Sequence, residues 1–201
     1  MLVGVSAAAA ATILGLVLGL VAGYFGGWTD ALLSRFTDTV LTVPSLIVLI
    51  AIAAFVGPNL VLLIVLIALF EWPSAFRIVR GETLSLKEQD FVLAVKGLGA
   101  GPARILRKHL MPAVVGPLTI IGTLLVVSAI MTEATLSFLG LGVPEPTASW
   151  GNMLNSAQSL TILQTMPWLW APPGAAIAIT SMAVNFVGDG LRDAFDPRTS
   201  R

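Results

Sequence analysis

Five long apolar runs, separated by short polar or glycine- and proline-rich segments, constrain this chain more than any other feature. A helix needs about 20 mainly apolar residues to cross a bilayer, and each run meets or comes close to that length. The runs predicted to span the membrane are 2–25, 40–56, 60–79, 113–131 and 172–187. The pattern therefore predicts an all-α integral membrane protein with about five transmembrane helices. Pro44 is expected in the first turn of the second span, Pro73 is expected to kink the third, and Pro172 and Pro173 are expected to open the fifth.

The composition excludes a soluble domain. Of the 201 residues 56% are hydrophobic and only 11% are charged, and the mean hydropathy is +0.92. A soluble domain carries about 25% charged residues, so this chain lacks the polar side chains needed to cover a water-soluble globule. The segments of about ten alternating residues that mark a membrane barrel do not occur. Without cysteine there is no disulfide framework, and without a basic n-region the start does not resemble a signal peptide.

Small residues recur at every fourth position of the first span. They are Ala7, Ala11, Gly15, Gly19 and Gly23. This spacing places all five on one helix face, where small side chains let another helix approach closely. The first span is therefore predicted to be packed inside a bundle and not surrounded by lipid.

The basic residues predict the orientation. With five spans, all eleven fall on one side of the membrane: Arg35, Arg77, Arg80, Lys87, Lys96, Arg104, Arg107, Lys108, Arg192, Arg198 and Arg201. Since basic residues concentrate on the cytoplasmic side, the N-terminus is expected outside and the C-terminus in the cytoplasm. Residues 134–168, with Glu145 as their only charge, are expected to form an extracytoplasmic loop.

The one long polar stretch is 80–112, RGETLSLKEQDFVLAVKGLGAGPARILRKHLMP, which holds six of the eleven basic residues and the only histidine. One or two short helices are predicted within 84–98, and the glycines at 97, 99 and 101 are expected to end them. Pro102 can then begin another helix. This helix is predicted to cover residues 103–111, to be basic and amphipathic, and to lie on the membrane surface. It is expected to be separate from the fourth span, which Pro112 introduces.

The tip of this cytoplasmic stretch carries apolar side chains, Phe91, Val92 and Val95, that are predicted to share one side of a helix. They have no bilayer to enter, so a groove on a partner protein is one interpretation, and an ordinary cytoplasmic loop with some helix is the other. The chain contains no G-x-x-x-x-G-K-[ST] phosphate loop, and its glycines do not form G-x-G-x-x-G. Energy from ATP would therefore have to arrive through a contact.

The same stretch resembles the signature of the binding-protein-dependent ABC importer permeases, EAA, three residues, G, nine residues, I-x-L-P. Leu93-Ala94-Val95 occupies the EAA place, Gly99 follows, and His109, Met111 and Pro112 occupy the I, L and P places. The first and last residues of the EAA place, and the I and L places, depart from the signature.

The dipeptide and oligopeptide branch of these permeases is a closer match. The matching positions are Phe91, Val92, Ala94, Leu98, Gly99, Ala100, Arg104, Ile105, His109 and Pro112. Four further blocks resemble that branch, so that the resemblance covers essentially the whole chain: GLVAGYFGGWTD at 19–30, TVPSLI at 42–47, EATLSFLGLGVPEPTASWGNML at 133–154 and NFVGDGLRDAFDPR at 185–198.

This resemblance implies that residues 1–201 are one permease domain of a bacterial-type plasma membrane importer for di- or oligopeptides. It implies a second, related permease subunit, two ATPase subunits in the cytoplasm and an extracytoplasmic substrate-binding protein. ATP would be bound by the ATPases, and this chain would bind no cofactor, catalyse no reaction and take no nucleic acid. The residues implied to dock the ATPase as a coupling helix are Asp90, Phe91, Val92, Leu93, Ala94, Val95, Lys96, Gly97, Leu98 and Gly99, with Ala94 and Gly99 fitting a tight groove.

Several alternatives stay open. A nickel or glutathione permease would carry the same signature, and a secondary transporter, a channel or a membrane scaffold belongs to a different class.

Glu71 and Glu133 are the acids near the interior of spans and are candidates for a substrate pathway. Glu71 is expected to snorkel or pair near the cytoplasmic end. His109 stands alone beside cations, which disfavours a metal or catalytic site. The family also leads one to expect a sixth span before the first, which suggests a fragment or a start placed too far downstream.

Overall fold

The computed structural model describes residues 1–144 and 146–195, and within them the chain is helical without β-strands. Besides its α-helices the chain has a π-helical turn, Leu106–Leu110, and a 3-10 turn, Ser156–Gln158. The sequence expectations for Glu145, Arg198 and Arg201 fall outside the described residues. The helices are α1 (Leu2–Phe25), α2 (Gly27–Thr42), α3 (Ser45–Val56), α4 (Leu60–Leu86), α5 (Asp90–Gly97), α6 (Pro102–Ile105), α7 (Met111–Phe138), α8 (Trp150–Asn155), α9 (Leu160–Thr165) and α10 (Pro167–Phe195).

Helices α1 and α4 pack side by side along the small-residue stripe, as predicted. All five residues of the stripe are buried. A methyl group built on Gly19 would lie 2.8 Å from Val79 Cβ, and one built on Gly23 would lie 2.6 Å from Thr83 Cβ. The partner position advances by four as the stripe advances by four, so the two helices are parallel. Only residues without a larger side chain allow the two backbones to approach this closely.

Helix α7 runs antiparallel to α1. Gly4 at the start of α1 packs against Ile130, whereas Thr12 faces Gly122. Helix α7 therefore carries the chain back in the direction opposite to α1 and α4.

Helix α10 runs antiparallel to α7, because Gly188 meets Thr123 and Phe195 meets Gly116. The ends of α1, α4 and α10 and the start of α6 consequently lie at one end of the bundle. This end, called the basic end below, carries Arg35, Arg77, Arg80, Lys87, Lys96, Arg104, Arg107, Lys108 and Arg192. The predicted gathering of these charges on one side agrees with the packing, and their cytoplasmic location stays a prediction.

Five crossings were predicted, and the second differs from its prediction. Four helices of the described residues, counting α6 to α7 as one, are long and apolar enough to cross a bilayer, and the bent pair α2 and α3 makes the fifth. The two helices of that pair meet at 76°. Pro44 does not lie in the first turn of one helix. It stands between two helices with an extended backbone, φ −61° and ψ 102°. Val43 before it is extended as well, with φ −86° and ψ 128°, because proline disfavours helical geometry in the preceding residue.

The prolines of the third and fifth spans lie inside helices. Helix α4 continues through Pro73 for a further 13 residues to Leu86, so this proline does not interrupt the span. The fifth span begins at Pro167, and Pro172 and Pro173 lie within α10 and do not open it. Proline lacks one N–H, but neighbouring helices and local adjustments satisfy the freed carbonyl in membrane bundles.

The predicted separate surface helix at 103–111 is wrong. Residues from Pro102 to Phe138 form one continuous 37-residue helical segment. Ile105 and Leu110 are completely buried, which holds the segment against the bundle. Pro102 does begin the helix, and its position in the first turn is as predicted.

Residues 134–168 are more ordered than the predicted loop. Helix α7 extends to Phe138, and the rest contains α8, the 3-10 turn, α9 and the start of α10. Ser149 begins α8 by accepting a hydrogen bond on its hydroxyl from the Asn152 backbone N–H, 3.1 Å away. The segment folds back over the end of α7.

Candidate functional site

Helix α5 lies at the tip of the basic end. Helix α4 has 27 residues and is about 40 Å long, which exceeds the hydrocarbon core of about 30 Å. The excess carries the chain beyond the apolar layer before α5 begins at Asp90. Helix α6 then returns the chain to the bundle, so that α5 is presented between two long helices.

One face of α5 holds it to the protein, and the other is open. Val92 is 2% exposed and Val95 packs against the core. Phe91, predicted to share their side, is 42% exposed, whereas Leu93 is 50% and Leu98 is 88% exposed. The exposed residues of the predicted docking set are Asp90, Phe91, Leu93, Ala94, Lys96, Gly97, Leu98 and Gly99. The open face is thus largely apolar, with one acid and one base near its two ends.

Gly99 has a definite structural role at the end of α5. Its φ is +80°, and its N–H donates to the Lys96 carbonyl at 3.0 Å while the Ala100 N–H donates to Val95 at 3.3 Å. These two bonds form a Schellman motif, which needs a left-handed residue at the position of Gly99. Ending α5 is therefore one role of Gly99, and its expected fit to a partner groove stays a prediction. A methyl group built there would meet nothing within 4 Å, so the requirement lies in the backbone.

The residues at the end of the signature lie away from α5. His109 is part of the π-helical turn and is half-buried, whereas Met111 and Pro112 are exposed at the start of α7. The completely buried neighbours in this segment are Ile105 and Leu110. The signature thus covers α5 and the π-helical turn through which the chain re-enters the bundle.

Three contacts hold the basic end together, and the sequence did not predict them. Arg80 of α4 forms a two-bond ion pair with Asp30 of α2, with Nη2 donating to Oδ2 at 2.7 Å. Arg77 pairs with Asp38 at 2.9 Å. Lys87 Nζ donates to the Gly23 carbonyl at 3.0 Å, near the C-terminal end of α1 where helix carbonyls carry partial negative charge.

These contacts fix the last turn of α4, which leads directly into α5. The available sequence signal was the presence of acids in the short link 26–39 and of bases at the end of the third span on the same predicted side. That signal identifies opposite charges but not which acid meets which base.

Glu71 and Ser128 meet between α4 and α7. The Ser128 hydroxyl donates to Glu71 Oε1 at 2.5 Å. Glu71 lies 11 residues after Leu60 and Ser128 lies 10 residues before Phe138, so both are about 15 Å from the helix ends opposite the basic end. The expected snorkelling or pairing near the cytoplasmic end is wrong, because a hydroxyl on the neighbouring helix binds one carboxylate oxygen near the middle of the span.

Glu133 lies near the end of α7 opposite the basic end and is 3% exposed. Its Oε1 accepts a hydrogen bond from the Ser137 hydroxyl at 2.7 Å, and the Val143 N–H donates to the same hydroxyl at 3.3 Å. The carboxylate thus lies under the segment that folds back over α7, where no ligand reaches it in this conformation.

Comparison with known proteins agrees with this arrangement. Residues 15–201 match the family described as binding-protein-dependent transport system inner membrane component. A Brucella ovis protein provisionally named a peptide permease is 45% identical over 198 residues. The oligopeptide transport system permease protein OppC of Bacillus subtilis is 42% identical over 196 residues, and the glutathione transport system permease protein GsiD of Escherichia coli is 40% identical over 195.

The matches cover 98%, 98% and 97% of this chain but only 66%, 64% and 64% of these relatives. The fold is similar to a solved chain of the methionine ABC transporter MetNI in an inward-facing conformation. The TM-score is 0.69 at 18% identity, over 96% of this chain and 92% of that chain. By its sequence, the chain belongs to the family of binding-protein-dependent transport system inner membrane components.

Proposed function

We propose that this chain is a permease subunit of an ATP-driven importer and forms part of a translocation pathway for di- or oligopeptides. The observation that carries the proposal is α5, a short helix with an open apolar face, held rigidly at the tip of the basic end. Such a face is stable in water only when a partner covers it. The sequence contains no G-x-x-x-x-G-K-[ST] phosphate loop, which supports ATP hydrolysis in separate subunits whose work reaches this chain through α5.

The partners proposed are two ATPase subunits, a second related permease and an extracytoplasmic substrate-binding protein. Val92 and Val95 hold α5 to the bundle, so a displacement of α5 by the ATPase is transmitted to α4 and α6. The last turn of α4 is itself fixed to α1 and α2 by Lys87 and Arg80. This connection supports motion of the helices as a unit and not of the loop alone.

The names of similar proteins support a peptidic substrate. They include peptide, oligopeptide, dipeptide and glutathione permeases, whose shared chemistry is the peptide bond. Glutathione is the second candidate substrate, because GsiD is named as a glutathione permease protein. Nickel transport, secondary transport and a passive channel are not named by these relatives.

The test compares two alanines at the basic end. Ala94 lies on the open face of α5, and Ala103 is exposed on α6. Ala94→Lys places a long cation in the proposed contact and is expected to abolish co-purification of the ATPase subunits and peptide uptake. Ala103→Lys makes the same chemical change outside α5 and is expected to keep both. Gly99 is avoided, because its substitution disturbs the backbone as well as the surface.

Both variants are expressed in the full transporter, and their amounts in the membrane are measured first. Equal membrane amounts with loss of uptake only in Ala94→Lys agree with the proposal. Normal ATPase co-purification and normal uptake in Ala94→Lys would refute docking through α5.

A further inference from the structure

The pair of Glu71 and Ser128 lies on a distinct face of the bundle. Along α7 the side chains of Leu124, Ser128, Met131 and Thr135 are exposed and recur at helical spacing. At 100° per residue they share one stripe. Leu118, Gly122 and Val126 lie on the opposite side of α7, where they line an apolar groove against α1.

The two faces suit different surroundings. The groove between α1 and α7 is lined by ten residues, of which the only polar ones are three threonines, and it is compatible with lipid. The other face carries the Glu71 carboxylate and the Ser128 hydroxyl at mid-depth. An ionisable side chain facing hydrocarbon is costly, and such residues in spans face a bundle interior or a water-filled cavity. The stripe with Ser128 therefore faces the interior of the assembled transporter.

Glu71 is also not neutralised by a base. Among the described residues, ion pairs occur at Arg77 and Arg80, and both are formed with acids of α2. The hydrogen bond from Ser128 engages one carboxylate oxygen and holds the group in place, so that Oε2 stays available. A carboxylate held in this way accepts charge-assisted hydrogen bonds, for which an ammonium group with its three donors is the matching ligand.

We propose that Glu71, oriented by Ser128, recognises a positively charged group of the transported ligand, an ammonium above all, as the ligand crosses the middle of the membrane. The inference rests on the proposed function, since it requires that the chain form a pathway. It deepens that function by naming the chemical class of group that this side of the pathway binds. Free peptides carry such a group at the N-terminus, and some carry more on their side chains.

The sequence contains no cysteine, which allows a direct test. Leu124 lies one turn from Ser128 on the same stripe and is 50% exposed. In the assembled transporter, Leu124→Cys is exposed to cationic trimethylammonium-ethyl methanethiosulfonate and to anionic sulfonatoethyl methanethiosulfonate. The measured quantity is the reaction rate of the cationic reagent divided by that of the anionic reagent, normalised to the same ratio for a small free thiol. We expect a value of about ten, because the Glu71 carboxylate attracts the cation and repels the anion.

Glu71→Gln removes the charge and keeps the shape, and it is expected to bring this ratio close to one. Glu71→Asp keeps the charge and should keep most of the preference. The control is Ala103→Cys, which is exposed at the basic end and lies about 37 Å along the helix from Ser128. Its ratio should not depend on residue 71.

Failure to react with either reagent at position 124 would show a face without water and would overturn the proposal. A tenfold preference that persists in Glu71→Gln would overturn it equally. Should Glu71→Gln fail to assemble, the ionic strength dependence of the ratio in the Leu124→Cys protein decides, because a preference caused by charge falls with added salt. A transporter that shows the preference but takes up no peptide would instead refute the proposed substrate and leave the cation site standing.

Discussion

Arg80 of α4 donates two hydrogen bonds to the Asp30 carboxylate of α2, across 50 positions of sequence. The pair is partly buried, with 32% of the Arg80 side chain and 19% of the Asp30 side chain exposed. Arg77 and Asp38 join the same two helices, but their side chains are 57% and 55% exposed. The two pairs thus offer the same chemistry at different degrees of exposure.

Asp30→Asn is expected to destabilise the protein more than Asp38→Asn. Charge-assisted hydrogen bonds contribute about 1.5–3 kcal/mol when shielded from water, and partial exposure reduces this to about 1–2 kcal/mol at Asp30. An exposed ion pair contributes about 0–1 kcal/mol. Thermal unfolding of the purified protein should show a melting temperature lowered by about 3–6 °C for Asp30→Asn. Equal shifts in the two variants would contradict the assigned importance of burial.

The close approach of α1 and α4 predicts opposite outcomes for one substitution at two glycines. In Gly19→Ala the new methyl group would overlap Val79, and separating the helices costs about 1–3 kcal/mol. In Gly81→Ala, on the exposed side of α4, the methyl group meets nothing within 4 Å. Alanine favours the helix by about 0.5–1 kcal/mol over glycine there. The melting temperature should fall in the first variant and rise in the second; a rise in both would show that the helices are not in contact at Gly19.

The close packing of α1 was predicted from the sequence, because a four-residue repeat of small side chains in a membrane helix indicates a face against which another helix packs. The end of α5 at the glycines of the polar stretch and the start of α6 at Pro102 were also predicted correctly, because both depend on local sequence signals. The pairing of Asp30 with Arg80 and of Glu71 with Ser128 was not predicted. Such pairs depend on the rotation of α2, α4 and α7 about their axes, which tertiary packing determines.

The predicted surface helix failed for a related reason. Arg104, Arg107 and Lys108 give residues 103–111 the charge pattern of a membrane-surface helix, and Pro112 resembles a boundary. The structure instead continues the helix because Ile105 and Leu110 are buried in the core, and a π-helical turn accommodates the change of face. A local charge pattern cannot reveal that burial.

At the end of α7 opposite the basic end, two side-chain amides donate to the same carbonyl oxygen. We expect their contributions to stability to differ. Asn155 Nδ2 donates to the Phe138 carbonyl at 2.6 Å, and Gln158 Nε2 donates to the same oxygen. Asn155 is part-buried and Gln158 is exposed, so water replaces the second bond easily. Asn155→Ala is expected to cost about 1 kcal/mol and Gln158→Ala less than about 0.5 kcal/mol. Hydrogen exchange of residues 146–158 should accelerate in the first variant, and faster exchange in the second alone would contradict this assignment.

The end of α5 provides a test that separates backbone geometry from surface contact. Gly99→Ala forces a side chain into φ +80° and is expected to cost about 1–2 kcal/mol. The neighbouring Gly97→Ala keeps helical geometry in open space and should be neutral or slightly stabilising. Gly99→Asn restores much of the stability, because asparagine tolerates the left-handed region.

Hydrogen exchange of the Ala100 amide, which bonds to Val95, measures whether the end of α5 stays closed. If this amide is protected in Gly99→Asn but uptake is lost, Gly99 also contacts a partner, and the narrow groove is supported. If protection and uptake return together, its role is confined to ending the helix. Unchanged protection in Gly99→Ala would contradict the Schellman motif itself.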